Sequence, residues 1–396
     1  MRARLPLLAL LLAARAWGLD VQYEVAARSD VRTRTVQPGS LGSVTSEVEV
    51  RPSAGLLLGT ADTRFGAAYR PSLLFRDPFA LGPVGLLHRG QLLFTQRWPL
   101  VSLRVDVDGS WGTSDISALR PADTLPPGSV ETPTLGLLPY VRLWSRAGVD
   151  WQVGRRVTLG VDGGYQVSGS PGDLSLPMQQ GPFAALRLGW RPTERDTLTT
   201  TLQAAHADFV TGQVQTVLQG TQTWRHTFTA RTGLSLSGGV AFTREDIPVI
   251  DLPRPPQPGL YRELLPVASV SVDHRASGVG TVDVLALARL GPFQDRFTGN
   301  VYERLEALGL ARWRPVREVE LTGTLGGGWA VDIGRAEQLG DRIVYGDVLV
   351  AWTPEAWLLL QGNARLGWSA QPSYEIPSGL QWLLGVAVTF RDAGPL

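Results

Sequence analysis

Arginines and carboxylates recur at every second position of several segments, where they could act together on a charged solute. Arg104, Asp106 and Asp108 stand two residues apart, and Arg142 and Arg146 lie four apart. A guanidinium donates two parallel hydrogen bonds in a fixed plane, which suits a carboxylate or a phosphate. All 37 basic side chains of the chain are arginines. The chemistry indicated by these residues is therefore the binding of anions.

Residues for catalysis or metal binding are sparse. Cysteine is absent, and none of the four histidines stands with a serine and an acidic or amide partner in a pattern typical of nucleophilic catalysis. Carboxylates two apart, as in Glu47 and Glu49, could bind calcium or serve acid/base chemistry, but alternation alone explains them. We expect no catalytic residue, no metal site and no cofactor, and hence no enzyme.

Composition excludes two large classes of protein. The 396 residues carry 37 basic and 36 acidic side chains, a formal charge of +1, so no basic field for nucleic acid exists. Charged residues make up 18%, below the roughly 25% usual for soluble domains. After the first residues, no apolar run approaches the roughly 20 residues that span a bilayer as a helix. A helical membrane protein is therefore the second excluded class.

The first 18 residues have the order of a secretory signal peptide. Arg2 and Arg4 precede an apolar stretch, Leu5 to Ala14, and small residues follow at Ala16 and Gly18. We expect cleavage after Ala16 or Gly18, and we take residues 1–18 as the signal peptide and residues 19–396 as the barrel.

The exported chain alternates apolar and polar side chains with a period of two, as a strand between two environments does. Residues 101–108 are a clear example, and about eighteen such segments follow one another along the chain. Short turns alternate with longer connections rich in polar residues or proline. We predict an all-β fold, a closed antiparallel transmembrane β-barrel of about 18 strands in the outer membrane of a Gram-negative cell, with short periplasmic turns and longer extracellular loops.

Aromatic residues at segment ends predict two membrane-interface girdles, because tryptophan and tyrosine rings favour the headgroup level. The expected girdle tryptophans are Trp98, Trp151, Trp190, Trp224, Trp313 and Trp352 on the periplasmic side and Trp111, Trp329 and Trp368 on the other. The last segment ends on Phe390, which resembles the signal read by the barrel assembly machinery. Outer-membrane lipid and that machinery are thus expected partners.

If the apolar positions face lipid, the intervening positions face the lumen. The predicted lumen arginines are Arg64, Arg70, Arg104, Arg142, Arg146, Arg187, Arg231, Arg304, Arg312 and Arg365. They could pair with carboxylates and stiffen the wall, or form an electropositive conduit for an anion. Two long connections, Thr113 to Leu138 and Arg244 to Glu263, could plug the lumen or extend outside.

Three segments resemble a known group of proteins: TRFGAAYRPSLLFRDPF from Thr63, LFTQRWPLVSLRVDVDGSWG from Leu93 and LGPFQDRFTGNVYERL from Leu290. With the length and strand number, they resemble the integral outer-membrane barrels of myxobacterial exopolysaccharide secretion pathways, similar in architecture to the alginate export porin. The resemblance implies a channel for polymer export that works with periplasmic polysaccharide export and copolymerase proteins.

Three functions are therefore open at this level. The first hypothesis is a passive outer-membrane channel for export of an acidic exopolysaccharide that contacts the arginines. A general or anion-selective diffusion porin is the alternative, and a structural or adhesive barrel is the third.

Overall fold

The computed structural model of the protein describes residues 19–34, 43–60, 62–76, 84–115, 137–173, 176–249, 258–276, 278–294, 301–331, 342–371 and 376–391. The predicted signal peptide and the middle of both candidate plugs lie outside these residues. No helix within the described ranges is long and apolar enough to cross a membrane.

The described chain folds into nineteen β-strands. In chain order they are β1 (Leu19–Arg34), β2 (Ser43–Gly59), β3 (Thr63–Tyr69), β4 (Ser72–Arg76), β5 (Val84–Arg97), β6 (Val101–Asp115), β7 (Leu137–Gln152), β8 (Val157–Gly169), β9 (Gln179–Trp190), β10 (Asp196–Phe209), β11 (Val214–Thr229), β12 (Thr232–Ile247), β13 (Gly259–His274), β14 (Thr281–Gln294), β15 (Val301–Val316), β16 (Val319–Val331), β17 (Arg342–Glu355), β18 (Leu358–Gln371) and β19 (Ile376–Arg391).

The sheet closes on itself. Successive strands pair antiparallel around the wall, and β19 returns to β1 in a register that runs from Glu24 opposite Arg391 to Arg32 opposite Leu383. Both β3 and β4 lie between β2 and β5, so together they fill one position in the wall. The prediction of a closed antiparallel barrel with 18 wall positions is confirmed.

Two facing prolines explain why the third wall strand is interrupted. The register between β2 and β3, continued beyond Tyr69, places Pro71 opposite Pro52 and is resumed where Leu73 meets Val50. Neither proline has a backbone N–H to give to the ladder, so the pair cannot form its two hydrogen bonds.

The same arrangement occurs once more, with a larger effect. Pairing of β13 with β14 stops at Ala268 opposite Leu290, and the same register continued by two residues would place Pro266 opposite Pro292. Arg275 donates its backbone N–H to the backbone O of Arg231, in the turn just before β12, at 2.8 Å. By alternation, the even-numbered backbone groups of β13 then point towards β14. Both missing N–H groups therefore belong to this seam, and beyond it β14 stays paired only with β15.

The two faces of the wall differ as a lipid–water boundary requires. Most of the large exposed apolar side chains on the strands lie on one face, for example Leu92, Leu202, Val348 and Leu384. Each is paired across the ladder with a residue of the same face, and the charged side chains occupy the other. The apolar face is the exterior of the barrel and the charged face lines the lumen.

Adjacent residues of β17 provide a test of this division. Val348 lies on the exterior, 53% exposed, whereas Leu349 shares the inner face with Thr322 and Asn363. We expect Val348→Arg to cost about 2 to 4 kcal/mol near mid-membrane, because a lipid-facing guanidinium is desolvated. Leu349→Arg should cost less than about 1 kcal/mol, because the guanidinium at this inward position reaches the water of the lumen. Urea titration of barrels refolded in vesicles measures both, and equal costs would contradict the assignment of faces.

The split between β13 and β14 is tested by restoring the missing donors. The double variant Pro266→Thr and Pro292→Thr should gain two ladder hydrogen bonds, about 1 kcal/mol each. We expect slower amide hydrogen exchange in residues 260–265 of the double variant. Each single variant keeps one facing proline and serves as the control. Unchanged exchange in the double variant would show that the prolines do not hold the seam apart.

Candidate lumen lining

The register places most of the predicted lumen arginines on the inner face. Those on inward strand positions are Arg64, Arg104, Arg142, Arg146, Arg187, Arg304, Arg312 and Arg365. The other two are not on strands. Arg70 lies in the interruption between β3 and β4, and Arg231 lies in the periplasmic hairpin turn between β11 and β12.

One group of charges lies on the wall from β6 to β9. Asp162 is buried and accepts Arg146 Nη2 at 2.8 Å and Arg187 Nη2 at 2.9 Å. A second carboxylate, Asp150, lies 3.3 Å from Arg187, and Gly160 leaves the space for them, since a Cβ there would stand 2.5 Å from Asp150 Oδ1. Beside them Arg104 pairs with its strand neighbour Asp106 at 3.0 Å. The β6–β9 cluster, as we call it, consists of Arg104, Asp106, Arg146, Asp150, Asp162 and Arg187.

A second group lies on the wall from β14 to β18. Glu306 pairs with Arg289 and, at 3.3 Å, with Arg304, while Arg365 lies 3.3 Å from Asp347. We call these residues the β14–β18 cluster; it has three arginines and two carboxylates.

Glycines of β16 make room for that cluster. A Cβ on Gly328 would stand 2.7 Å from Arg304 Nη2, and one on Gly326 would meet the Tyr345 ring at 2.6 Å. Arg365 in turn lies over that ring at 5.2 Å. Larger residues would displace these side chains, so the glycine run seen in the sequence serves close packing of the lumen wall.

Most of these ion pairs share an orientation relative to water. The Arg104 side chain is 62% exposed and its partner Asp106 9%, while Arg146 and Asp162 are 33% and 5% exposed. Arg289 and Glu306 follow the same order. The cause is length, because an aspartate stays at the wall while the arginine stem carries its guanidinium into the lumen.

The outer end of the lumen is narrowed by the end of the β14–β15 hairpin, here called the hairpin tip and comprising residues 291–294 and 301–304. Gln294 Nε2 donates to Gln179 Oε1 of β9 at 2.9 Å, with four strands between them along the wall. The Val301 N–H donates to Glu245 Oε1 on the inner face of β12 at 2.9 Å. The tip therefore bends inward at the split from β13 and lies against the inner wall.

Burial beneath the tip agrees with this position. Ala241, Thr243 and Leu265 face the lumen by register, yet each is at most 2% exposed. In an open barrel these positions would meet water. The bond from Val301 to Glu245 places the tip over this part of the wall, which accounts for their burial.

The narrowed end encloses a cavity of about 510 Å³. Trp144, Arg142 and Gln166 line it from the β7–β8 wall, and Phe293 and Arg304 line it from the tip. Sequence reasoning missed the cavity. Trp144 shares the parity of Arg142 and Arg146, so its inward direction could have been found, but the tip that closes the cavity could not.

The predicted girdle tryptophans lie at strand ends. Trp98, Trp151, Trp190, Trp224, Trp313 and Trp352 are at the periplasmic ends, and Trp111, Trp329 and Trp368 are at the outer ends. Leu198 pairs with both Trp190 and Trp224, which places the last two at one level. Phe390 lies on the exterior near the periplasmic end, where its ring stacks on Trp357 with centroids 6.0 Å apart.

Solved structures share this architecture. OpdQ of Pseudomonas aeruginosa aligns at a TM-score of 0.50 and 10% identity, over 94% of this chain and 97% of that one. OccAB4 of Acinetobacter baumannii aligns at 0.51 and 8% identity, over 94% and 98%, and OccAB1 of the same organism at 0.50 and 9%, over 94% and 97%. At these identities the likeness shows the fold alone. No curated protein matches the chain in sequence.

A family of export proteins does match in sequence. The model of the EpsX exopolysaccharide export family matches residues 15–396, nearly the whole chain. This match confirms the predicted resemblance and the expectation of a channel rather than an enzyme, and the closed barrel agrees with an integral outer-membrane location. The chain therefore belongs to the EpsX exopolysaccharide export family, as an outer-membrane β-barrel channel.

Proposed function

We propose that this barrel is a passive conduit for an acidic exopolysaccharide, whose carboxylate or phosphate groups contact the arginines of the lumen. The observation that carries the proposal is the orientation of most of the ion pairs, with guanidinium heads in the lumen and carboxylates at the wall. The pairs Arg187–Asp150 and Arg304–Glu306 have the opposite order of exposure. A polymer passing along the lumen meets positive groups first. Positive and negative groups are nearly equal in number, but the positive groups extend further from the wall into the lumen.

Paired arginines can still bind a moving anion. In the β6–β9 cluster the buried Asp162 is shared by Arg146 and Arg187. Each guanidinium has five N–H donors, so each keeps donors that Asp162 does not use. Asp162 is buried, so losing both partners would be costly, but when one arginine turns to the polymer the other still pairs with it. An arginine can therefore exchange its carboxylate for one on the polymer at small cost, which suits transport better than tight capture does.

A wall of fixed charges supplies no energy for transport. The driving force must come from outside the barrel, and we propose periplasmic polysaccharide export and copolymerase proteins as partners at the short-turn end. Outer-membrane lipid surrounds the girdle tryptophans, and the barrel assembly machinery reads the last strand, which carries Phe390.

One observation favours the alternative, an anion-selective diffusion porin. The bridge from Gln294 to Gln179 narrows the outer end of the lumen, and a narrowed opening suits small solutes. A porin of this kind would share the anion preference but would not be needed for polymer export. The two functions are separated by the second test below.

Neutralising the β6–β9 cluster should change ion selectivity. We expect wild-type channels in planar bilayers to prefer chloride over potassium, and the variant Arg104→Gln, Arg146→Gln, Arg187→Gln, Asp162→Asn to lower that ratio by at least about twofold. The asparagine avoids leaving a buried carboxylate unpaired. Removing three exposed turn arginines instead (Arg155→Gln, Arg191→Gln, Arg195→Gln) should leave the reversal potential nearly unchanged. Wild-type selectivity in the cluster variant would rule out the conduit.

Deleting the protein in its native cells should abolish secretion of the polymer, and the wild-type chain should restore it. The cluster variant should restore it only in part, because its arginine contacts are gone. Secreted polymer is measured by total sugar and by uronic acid content. Normal secretion after deletion would favour the diffusion porin, and a secreted polymer without acidic groups would contradict the acidic substrate.

A further inference from the structure

We propose that the cavity at the outer end of the lumen is a binding site for a pyranose that carries a carboxylate, such as a uronic acid. The inference rests on the proposed function and deepens it, since it names one place on the conduit where a single sugar of the polymer is held. It depends on Arg304, on an aromatic platform and on the amides between them.

Arg304 is the anchor for the carboxylate. The side chain is 3% exposed and lines the cavity, and its Nη1 and Nη2 are buried without a hydrogen-bond partner. Only Nε approaches a carboxylate, Glu306 Oε1 at 3.3 Å. Buried donors of this kind destabilise the fold when they are left unsatisfied. A planar carboxylate bound by Nη1 and Nη2 would satisfy both.

The guanidinium is held in one orientation before any ligand arrives. Its Cζ lies over the Phe293 ring at 4.5 Å, and the absence of a side chain at Gly328 admits its other edge. A preoriented fork loses little conformational entropy when it binds. The hairpin tip thus carries both the anion-binding group and the ring that fixes it.

Charge in the cavity favours an anion. Arg142, Arg289 and Arg304 line it, and Glu306 is the one carboxylate among the described lining residues. Arg142 Nη1 lies 3.9 Å from Oδ1 of Asp108, a carboxylate outside the cavity, so this ion pair is weak. The excess of guanidinium over carboxylate remains after the pairs are counted.

The opposite side of the cavity offers a surface for a sugar ring. Trp144 stacks on Phe183 with centroids 6.0 Å apart and planes 8° from parallel, and Gly164 leaves the room for Phe183. A flat aromatic face matches the apolar C–H face of a pyranose. Two inward aromatics on a polar wall are not needed for closure of the barrel.

Amides and hydroxyls complete the lining. Gln166, Gln179 and Gln219 line the cavity together with Thr221 and several serines, and these groups can donate to and accept from sugar hydroxyls. The volume of about 510 Å³ lies within the range of pockets that take small ligands. An anchor for a carboxylate, a stacking face and neutral hydrogen-bonding groups together fit an acidic sugar better than a bare anion.

Binding of defined oligosaccharides to the purified full-length barrel in detergent tests the site. The probes are a tetrasaccharide of alternating glucuronate and N-acetylglucosamine and the neutral tetrasaccharide of N-acetylglucosamine, compared by calorimetry. We expect the acidic probe to bind more tightly to wild type. Arg304→Gln should weaken the acidic probe about tenfold and leave the neutral one unchanged, because one charge-assisted pair is lost.

Further variants separate the parts of the site from effects on folding. Trp144→Ala should weaken both probes, since stacking does not depend on charge. Arg304→Lys keeps the charge without the fork and should lie between wild type and Arg304→Gln, which covers the case in which the glutamine variant does not fold. Arg225→Gln, which removes an arginine paired with Asp273 at 3.0 Å near the periplasmic end, should bind as wild type does.

Several outcomes would overturn the site. They are wild-type affinity for the acidic probe in both Arg304 variants, no binding of the acidic probe to wild type, or no effect of Trp144→Ala. Failure of the proposed function looks different: deletion would leave secretion intact while the purified barrel still distinguished the probes through Arg304. Conversely, lost secretion with unchanged binding in the variants would remove the site and keep the conduit.

Discussion

Every feature of this barrel depends on one constraint, the need of each backbone N–H and C=O for a partner where lipid offers none. An unpaired group in hydrocarbon costs several kcal/mol, so a sheet with free edges is excluded there. The return of β19 to β1 removes the edges. Once the sheet is closed, alternation along each strand divides side chains between lipid and water, and polar groups can lie only inside.

The lumen follows from that division and from the lengths of two side chains. Carboxylates such as Asp106 and Asp162 remain close to the backbone, while Arg104 and Arg146 reach into the lumen. Ion pairing keeps the inner wall close to electrical neutrality, and the longer arginine side chains place positive groups at its surface. A transport path for acidic polymer needs contacts that form and break easily, and half-exposed pairs meet that need better than isolated buried charges.

The exceptions to regular pairing are as informative as the pairing itself. Where Pro52 faces Pro71, the wall strand breaks and resumes in the same register. Where Pro266 faces Pro292, the strands separate and the end of the β14–β15 hairpin turns into the lumen. In the first case strands on both sides hold the interrupted segment in place. In the second case the separated strand stays paired with β15, and the inward turn of this hairpin forms one side of the cavity that Arg304 lines.

The sequence by itself determined the closed barrel, its strand positions and the inward parity of residues such as Arg146 and Arg187, because a period of two is a local property that each strand carries alone. It also contained the family resemblance that the whole-chain match confirms. Only the tertiary structure decided which carboxylate each arginine meets and where the lumen narrows. Contacts such as Gln294 with Gln179 join residues 115 apart across the lumen, and no local pattern encodes a distance of that kind. The inward turn of the hairpin depends on two prolines brought face to face by strand register, which exists only after the sheet has formed.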